Sequence, residues 1–257
     1  MKQAAIKRAE EAPYRLGLVV PSSNTTMETE LPEMFRRMST EGGPSLTVHS
    51  SRMRMRTVSP EELLKMDAQA DRCVEELADA EVDAVAYACL VAVMCQGPEY
   101  ALELEARLEA RMGESDAPVV TSAGALKEAL AHLGAKRVSL IAPYLPGLTE
   151  KVVQGIESEG VEVIDAISLS ISDNLEVGRR SPLQLIEDVK RLDIRGADAV
   201  ILSACVQMPS LAAVPIVEAA LGIPVISAAT ATVFSLQKIL GLEAAIPGAG
   251  SLLGGAL

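Results

Sequence analysis

The chain has 257 residues, of which 49% are hydrophobic but only 2% aromatic, and it carries a net charge of −12 with an isoelectric point near 4.7. That acidic balance, with so few rings on which bases could stack, speaks against nucleic acid as a partner. No apolar run approaches the roughly 20 residues of a membrane span, so no membrane partner is expected either.

Residues 1–13 begin Met1-Lys-Gln-Ala-Ala-Ile-Lys-Arg8 and lack the apolar centre of a secretory signal; they are expected to form an N-terminal extension. Four cysteines are too few for a disulfide scaffold and none form a C-x-x-C pair, which predicts reduced thiols in a cytoplasm. His49 and His132, the only histidines, are too far apart to suggest a zinc site or a Cys-His pair. With no G-x-G-x-x-G and no phosphate loop, no cofactor is expected.

Arg15-Leu-Gly-Leu-Val-Val-Pro21 reads as a buried strand, followed by the polar loop Pro21-Ser-Ser-Asn24. Thr25-Thr-Met-Glu28 has the form of a capping box opening a helix to about Arg37. Leu46–Ser51 predicts a second strand. Ser59-Pro60-Glu61-Glu62 caps a helix with Leu63, Met66, Ala70, Cys73, Val74 and Leu77 on one face. Next come a strand ending at Cys89, a Gly97-Pro98 break, a helix rich in Glu, Leu and Arg, and the strand Pro118–Thr121.

The second half repeats this order. Arg137–Pro143 matches Arg15–Pro21, a helix runs from Leu148, and Val161–Leu169 is a strand. Ser181-Pro182 is expected to cap a helix as Ser59-Pro60 does. A strand then ends at Cys205, Pro224-Val-Ile-Ser227 echoes Pro118–Thr121, and Ala229–Leu240 is the last helix, before a Gly-rich tail. Strands alternating with helices give parallel sheets with right-handed crossovers. The fold class is therefore α/β, with two pseudo-symmetric flavodoxin-like lobes, each a four-stranded parallel sheet flanked by helices. The lobes are expected to comprise residues 14–121 plus 229–257, carrying Cys89, and residues 122–228, carrying Cys205.

Ligands of open parallel sheets bind beyond the carboxyl ends of the strands. The loop through Asn24, Cys89, Tyr144 (just after Pro143) and Cys205 all lie at such ends, so the two thiols should flank one cleft. A lone strand-end cysteine is as easily a small core hydrophobe; a matched pair suggests an acid and a base. Helix N-termini after both cysteines would lower the thiol pKa, and two facing thiols would titrate as a coupled pair. Cys73 and Cys95 read as structural. Asn24 with Ser22 and Ser23 has the chemistry of an anion grip or of a plain turn. Tyr144 is a possible carboxylate donor, and Asn174 taken alone is a turn residue. Arg52, Arg54 and Arg56 read as a solvated edge.

The segments Val20–Glu30, His49–Met55, Tyr87–Ala92, Thr121–Leu126, Ala142–Tyr144, Asp173–Leu175, Ser203–Ser210 and Pro247–Gly250 together resemble the maleate cis–trans isomerases of the aspartate/glutamate racemase superfamily. The residues after the cysteines, Cys-Leu-Val and Cys-Val-Gln, differ from the Cys-Asn-Thr and Gly-Cys-Thr usual in the racemases and match the isomerase branch. The resemblance implies a cofactor-free reaction on a small dicarboxylate. It assigns Cys89 as the nucleophile that forms a succinyl-cysteine intermediate and Cys205 as the acid and base. It assigns the carboxylates to Asn24, Tyr144 and Asn174 and to the backbone amides of Leu90, Val91, Val206 and Gln207. A homodimer or higher homo-oligomer is expected. Two other readings stand beside it: a two-thiol racemase or decarboxylase of a small carboxylic acid, and a non-catalytic small-molecule sensor domain.

Overall fold

A computed structural model describes residues 12–254, so nearly all of the expected extension at residues 1–13, and the last three residues of the tail, lie outside the described residues. The first sheet is built from β1 (Tyr14–Pro21), β2 (Leu46–Met53), β3 (Ala84–Tyr87) and β4 (Val119–Thr121). The second uses β5 (Arg137–Ala142), β6 (Glu162–Ser168), β7 (Ala199–Ser203) and β8 (Val225–Ser227). Both are wholly parallel, and their orders, β2-β1-β3-β4 and β6-β5-β7-β8, are copies of one another. The duplication expected from the sequence is thus a duplication of topology.

The central strands β1, β3, β5 and β7 are almost entirely buried. Such strands need apolar side chains on both faces, which is why they read as continuous Val, Leu, Ile and Ala runs rather than as alternation. Backbone and helices pack closely around them. At Gly17 in β1, an added Cβ would stand 3.0 Å from Val85 and 3.1 Å from Leu77, so a larger residue would have to push those side chains aside.

In the first half the helices are α1 (Met27–Thr40), α2 (Pro60–Asp67), α3 (Ala70–Asp79), α4 (Leu90–Met94), α5 (Tyr100–Arg111) and α6 (Ser122–His132). The second half has α7 (Pro146–Glu157), α8 (Asn174–Arg179), α9 (Gln184–Asp188), α10 (Val214–Leu221) and α11 (Ala228–Ile239). The apolar face expected after Ser59 is real, but it is shared between α2 and α3, with a break at Ala68-Gln69. Ser59 caps α2 by accepting from the Glu62 N–H at 3.3 Å. Ser181 does not repeat this: α9 starts at Gln184, after Leu183, with no side-chain cap. A full capping box occurs instead at Ser227 and Thr230, where it opens α11.

The last helix packs against both halves. Thr232 of α11 donates to the Ser122 hydroxyl at 3.0 Å, and Ser235 and Lys238 both reach Glu128 of α6. Beyond α11, the carbonyls of Pro247 and Gly248 accept from Arg37 of α1. No helix among the described residues is long and apolar enough to cross a membrane.

Candidate active site

The two cysteines occupy matching places in the two sheets but different local structures. Cys89 is the N-cap of α4, so the first amides of that helix, on Leu90, Val91 and Ala92, have no partner within the helix. The Ala92 N–H is directed at the Cys89 sulfur. No helix follows Cys205; the chain turns irregularly until α10 at Val214. Three donors replace the expected helix end: the Gln207 N–H, 3.3 Å from the Cys205 sulfur, the Met208 N–H and the Tyr144 hydroxyl. The expectation of a helix N-terminus after each cysteine therefore holds for the first alone.

Both thiols are buried. Burial pushes Cys89 up to about 12, against the relief given by Ala92, and the nearby Cys205 and Asp67 charges push the same way. Burial also raises Cys205, while Tyr144 and the Gln207 and Met208 amides oppose the rise. The lowered thiol pKa values expected from helix ends are thus not found: removal from water outweighs the local dipoles.

All nine residues singled out from the sequence line one cavity, together with Pro21, Met55 and Val58. It lies at the carboxyl ends of β1, β3, β5 and β7, where the lobes meet, and its volume is about 20 Å³, room for about one water molecule. No lining side chain carries a fixed charge. An anion here would be held by amides and hydroxyls alone. Met55 and Val58 belong to the segment 54–59 between β2 and α2. The Ser22 hydroxyl ties that strap down, donating to the Met55 carbonyl at 3.2 Å and accepting from the Met55 N–H at 3.1 Å. The Gln69 amide accepts from the Arg54 N–H at 3.0 Å and donates to its carbonyl at 3.3 Å.

The polar residues around the cavity are held from a distance. Asn24 is buried; its Oδ1 accepts from the Met27 N–H at 3.1 Å and its Nδ2 donates to the Val206 carbonyl at 3.3 Å. Asn174, the first residue of α8, donates to the Ser23 hydroxyl at 2.6 Å. The capping box expected at Thr25–Glu28 does not form. Thr26 donates its hydroxyl to the Gln207 carbonyl at 2.6 Å, the Thr25 N–H is taken by the Gln207 side chain, and Glu28 pairs with Arg52. Asn24 caps α1 in its place.

Arg52 is no solvated edge either. Its guanidinium donates to the Asn24 carbonyl at 2.8 and 3.0 Å and to Glu28 at 2.8 Å, fixing the loop that carries Asn24. Arg54 and Arg56 are exposed, as expected. Glu30 of α1 is buried and accepts from the Ser210 and Leu211 N–H groups at 2.6 and 2.7 Å, gripping the far end of the loop after Cys205. Burial outweighs those donors and holds its carboxyl above the usual range. Sequence reasoning passed over both Glu30 and the side chain of Gln207; their partners lie between 33 and 184 positions away in the chain, and no local pattern marks them. Cys73 is in the core and Cys95 is half-buried outside the cavity.

Two buried thiols lining one cavity at the ends of two parallel sheets, with uncharged polar groups around them, fit the racemase superfamily, and the arylmalonate decarboxylase family model matches residues 16–253. The maleate isomerase of Geobacillus stearothermophilus is 56% identical over 245 residues, covering 94% of this chain and 98% of that protein. The crystal structure of a cysteine-to-alanine variant of the maleate isomerase of Pseudomonas putida S16 with maleate superposes with a TM-score of 0.93 at 46% identity, over 95% of this chain and 99% of that one. A Nocardia farcinica maleate cis–trans isomerase variant, with a cysteine changed to serine and a covalently bound succinylcysteine intermediate, gives a TM-score of 0.91 at 47% identity, over 94% of this chain and 98% of that one. The chain belongs to the maleate isomerases.

Proposed function

We infer that the protein converts maleate to fumarate without a cofactor, through a succinyl-cysteine formed on Cys89. The observation that carries this reading is the placement of two thiols in one cavity whose other polar groups are uncharged donors. Maleate cannot turn about its double bond until that bond order is removed. Attack of the Cys89 sulfur on one alkene carbon, with transfer of a proton to the other, leaves a single bond that rotates freely.

The proton inventory follows from the two environments. Cys205 has three donors to its sulfur and Cys89 has one, so when the pair holds a single proton it rests on Cys89. Cys205 as thiolate takes that proton while Cys89 adds to the alkene, and then delivers it to the neighbouring carbon. After rotation it removes a proton from that carbon, the carbon–sulfur bond breaks, fumarate leaves, and the proton passes from Cys205 back to the Cys89 sulfur. Cys205 starts and ends as thiolate, and charge is conserved at each step.

The two carboxylates of maleate lie against Asn24, Tyr144 and Asn174 and the amides of Leu90, Val91, Val206 and Gln207. Neutral donors suit the task because a fixed cation would hold the thiolate too firmly to react. Admission of a dicarboxylate requires the strap 54–59 to lift, breaking the Ser22 and Gln69 contacts, and its return excludes water from the thiolate. The functional unit is read as lobes 14–121 plus 229–257 and 122–228, in a cytoplasmic homodimer or higher homo-oligomer. Incubation with maleate followed by proton NMR should show the fumarate signal grow as maleate decays. A protein inert to maleate that exchanges the α-hydrogen of a chiral acid with solvent would instead support the racemase reading.

A further inference from the structure

The Gln207 side chain is 3% exposed and fully committed. Its Nε2 donates to the carbonyls of Ser23 and Asn174, both at 2.9 Å, and its Oε1 accepts from the Thr25 N–H at 3.2 Å. An amide side chain has two N–H donors and an acceptor oxygen; these three bonds use both donors and occupy the oxygen. Nothing is left with which it could hold a substrate carboxylate.

The three partners belong to two segments, and Gln207 joins them to a third. Ser23 and Thr25 flank Asn24, Asn174 opens α8, and Gln207 itself lies two residues beyond Cys205. Its backbone adds to the same junction: the N–H faces the Cys205 sulfur at 3.3 Å and the carbonyl accepts from Thr26. Space for the side chain is made at Gly178, the last residue but one of α8, where an added Cβ would lie 2.5 Å from Nε2 and 3.0 Å from Cδ of Gln207. Gly178 does not adopt a positive φ, so the close approach of Gln207, rather than a backbone requirement, accounts for glycine at this position.

We propose that the Gln207 side chain is a positioning residue that locks Asn24, Asn174 and the Cys205 loop into one rigid donor frame, and that Gly178 is glycine to admit it. The inference rests on the assignment of Asn24 and Asn174 to the substrate carboxylates. Loss of the frame frees two carboxylate donors while leaving both thiols in place. Its effect should fall on binding: KM for maleate rises roughly tenfold or more, with a smaller change in kcat.

The test is a set of variants followed by fumarate formation: Gln207→Ala, Gly178→Ala, the double variant, and Gln207→Glu, which keeps the shape but turns acceptor oxygens toward two carbonyls. Each single variant is expected to raise KM. Gly178→Ala should do no further harm once Gln207 is alanine, because the new Cβ then enters vacated space. A merely structural role for Gly178 would make the two effects additive. Wild-type KM in Gln207→Ala, or in Gln207→Glu should the alanine variant not fold, overturns the proposal, as does additivity in the double variant. Asn24→Ala and Asn174→Ala measured alongside separate the two levels. If they keep wild-type KM, the carboxylate assignment is what fails; if they raise it while the Gln207 variants do not, only the role of Gln207 is lost.

Discussion

The two halves share strand order, crossover pattern and the position of a thiol, yet they treat that thiol differently. After β3 the chain enters a helix at once, and Cys89 caps it with one amide near its sulfur. After β7 the chain wanders through ten residues of turn before α10, and those turns aim two amides at Cys205 while Tyr144 supplies a hydroxyl from the end of β5. Duplication thus delivers two cysteines to one cavity, and loop divergence gives their sulfurs different numbers of hydrogen-bond donors. In the proposed mechanism, the lobe with the regular helix carries the group that makes and breaks the carbon bond. The lobe with the irregular loop would carry the group that moves the proton, and Thr26, Glu30, Asn24 and the Ser23 and Asn174 carbonyls all fix that loop.

Removing either thiol gives the largest effect. Cys89→Ala and Cys205→Ala should each lose at least about 10³-fold in kcat/KM for maleate, since nucleophile and proton carrier act as a unit. A variant at either position that retains a tenth of wild-type turnover would break the comparison.

Tyr144→Phe comes next. It removes one of the three donors at Cys205 and one donor to a carboxylate, with an expected loss of about 10- to 100-fold in kcat/KM. Because the missing hydroxyl had favoured the Cys205 thiolate, the rising limb of the pH profile of kcat/KM should move to higher pH. An unmoved limb would mean that Tyr144 binds substrate only.

The smallest expected effect is on stability. The pKa of Cys89 lies near 12 in the folded chain against an ordinary value of 9.0. The unfolded chain therefore releases this proton first, and the folded state loses stability as pH rises between those values. Thermal unfolding midpoints should fall across that range in wild type and fall less steeply in Cys89→Ala; equal slopes would place the Cys89 thiol in a less buried setting than the structure gives it.

The fold was largely legible because its signals are local. Buried parallel strands announce themselves as apolar runs closed by proline or cysteine, and the repeat of Arg15–Pro21 at Arg137–Pro143 marks the duplication. Ser59 was recognised because its partner is three residues away. Thr25–Glu28 misled for the opposite reason: the Thr25 N–H is taken by Gln207, 182 positions away, and Glu28 by Arg52, so long-range bonds outcompeted the local cap. Within the site, the cysteine pair, Asn24 and Tyr144 stood out by their places at strand ends, whereas Asn174 stood out only through resemblance to a family. Glu30, Arg52 and the Gln207 side chain gave no signal, since a buried polar side chain is defined by what folds against it.

The most direct test of the covalent account is the intact mass of Cys205→Ala after exposure to maleate, with peptide mapping of any product. Without its proton carrier the enzyme should add Cys89 to the alkene, take the carbon-bound proton slowly from water, and stall there. The expected result is a gain of one maleic acid per chain, located on the peptide containing Cys89 and absent when Cys89 is also alanine. An adduct found only on Cys73 or Cys95, or an unmodified chain that still forms fumarate, would contradict it.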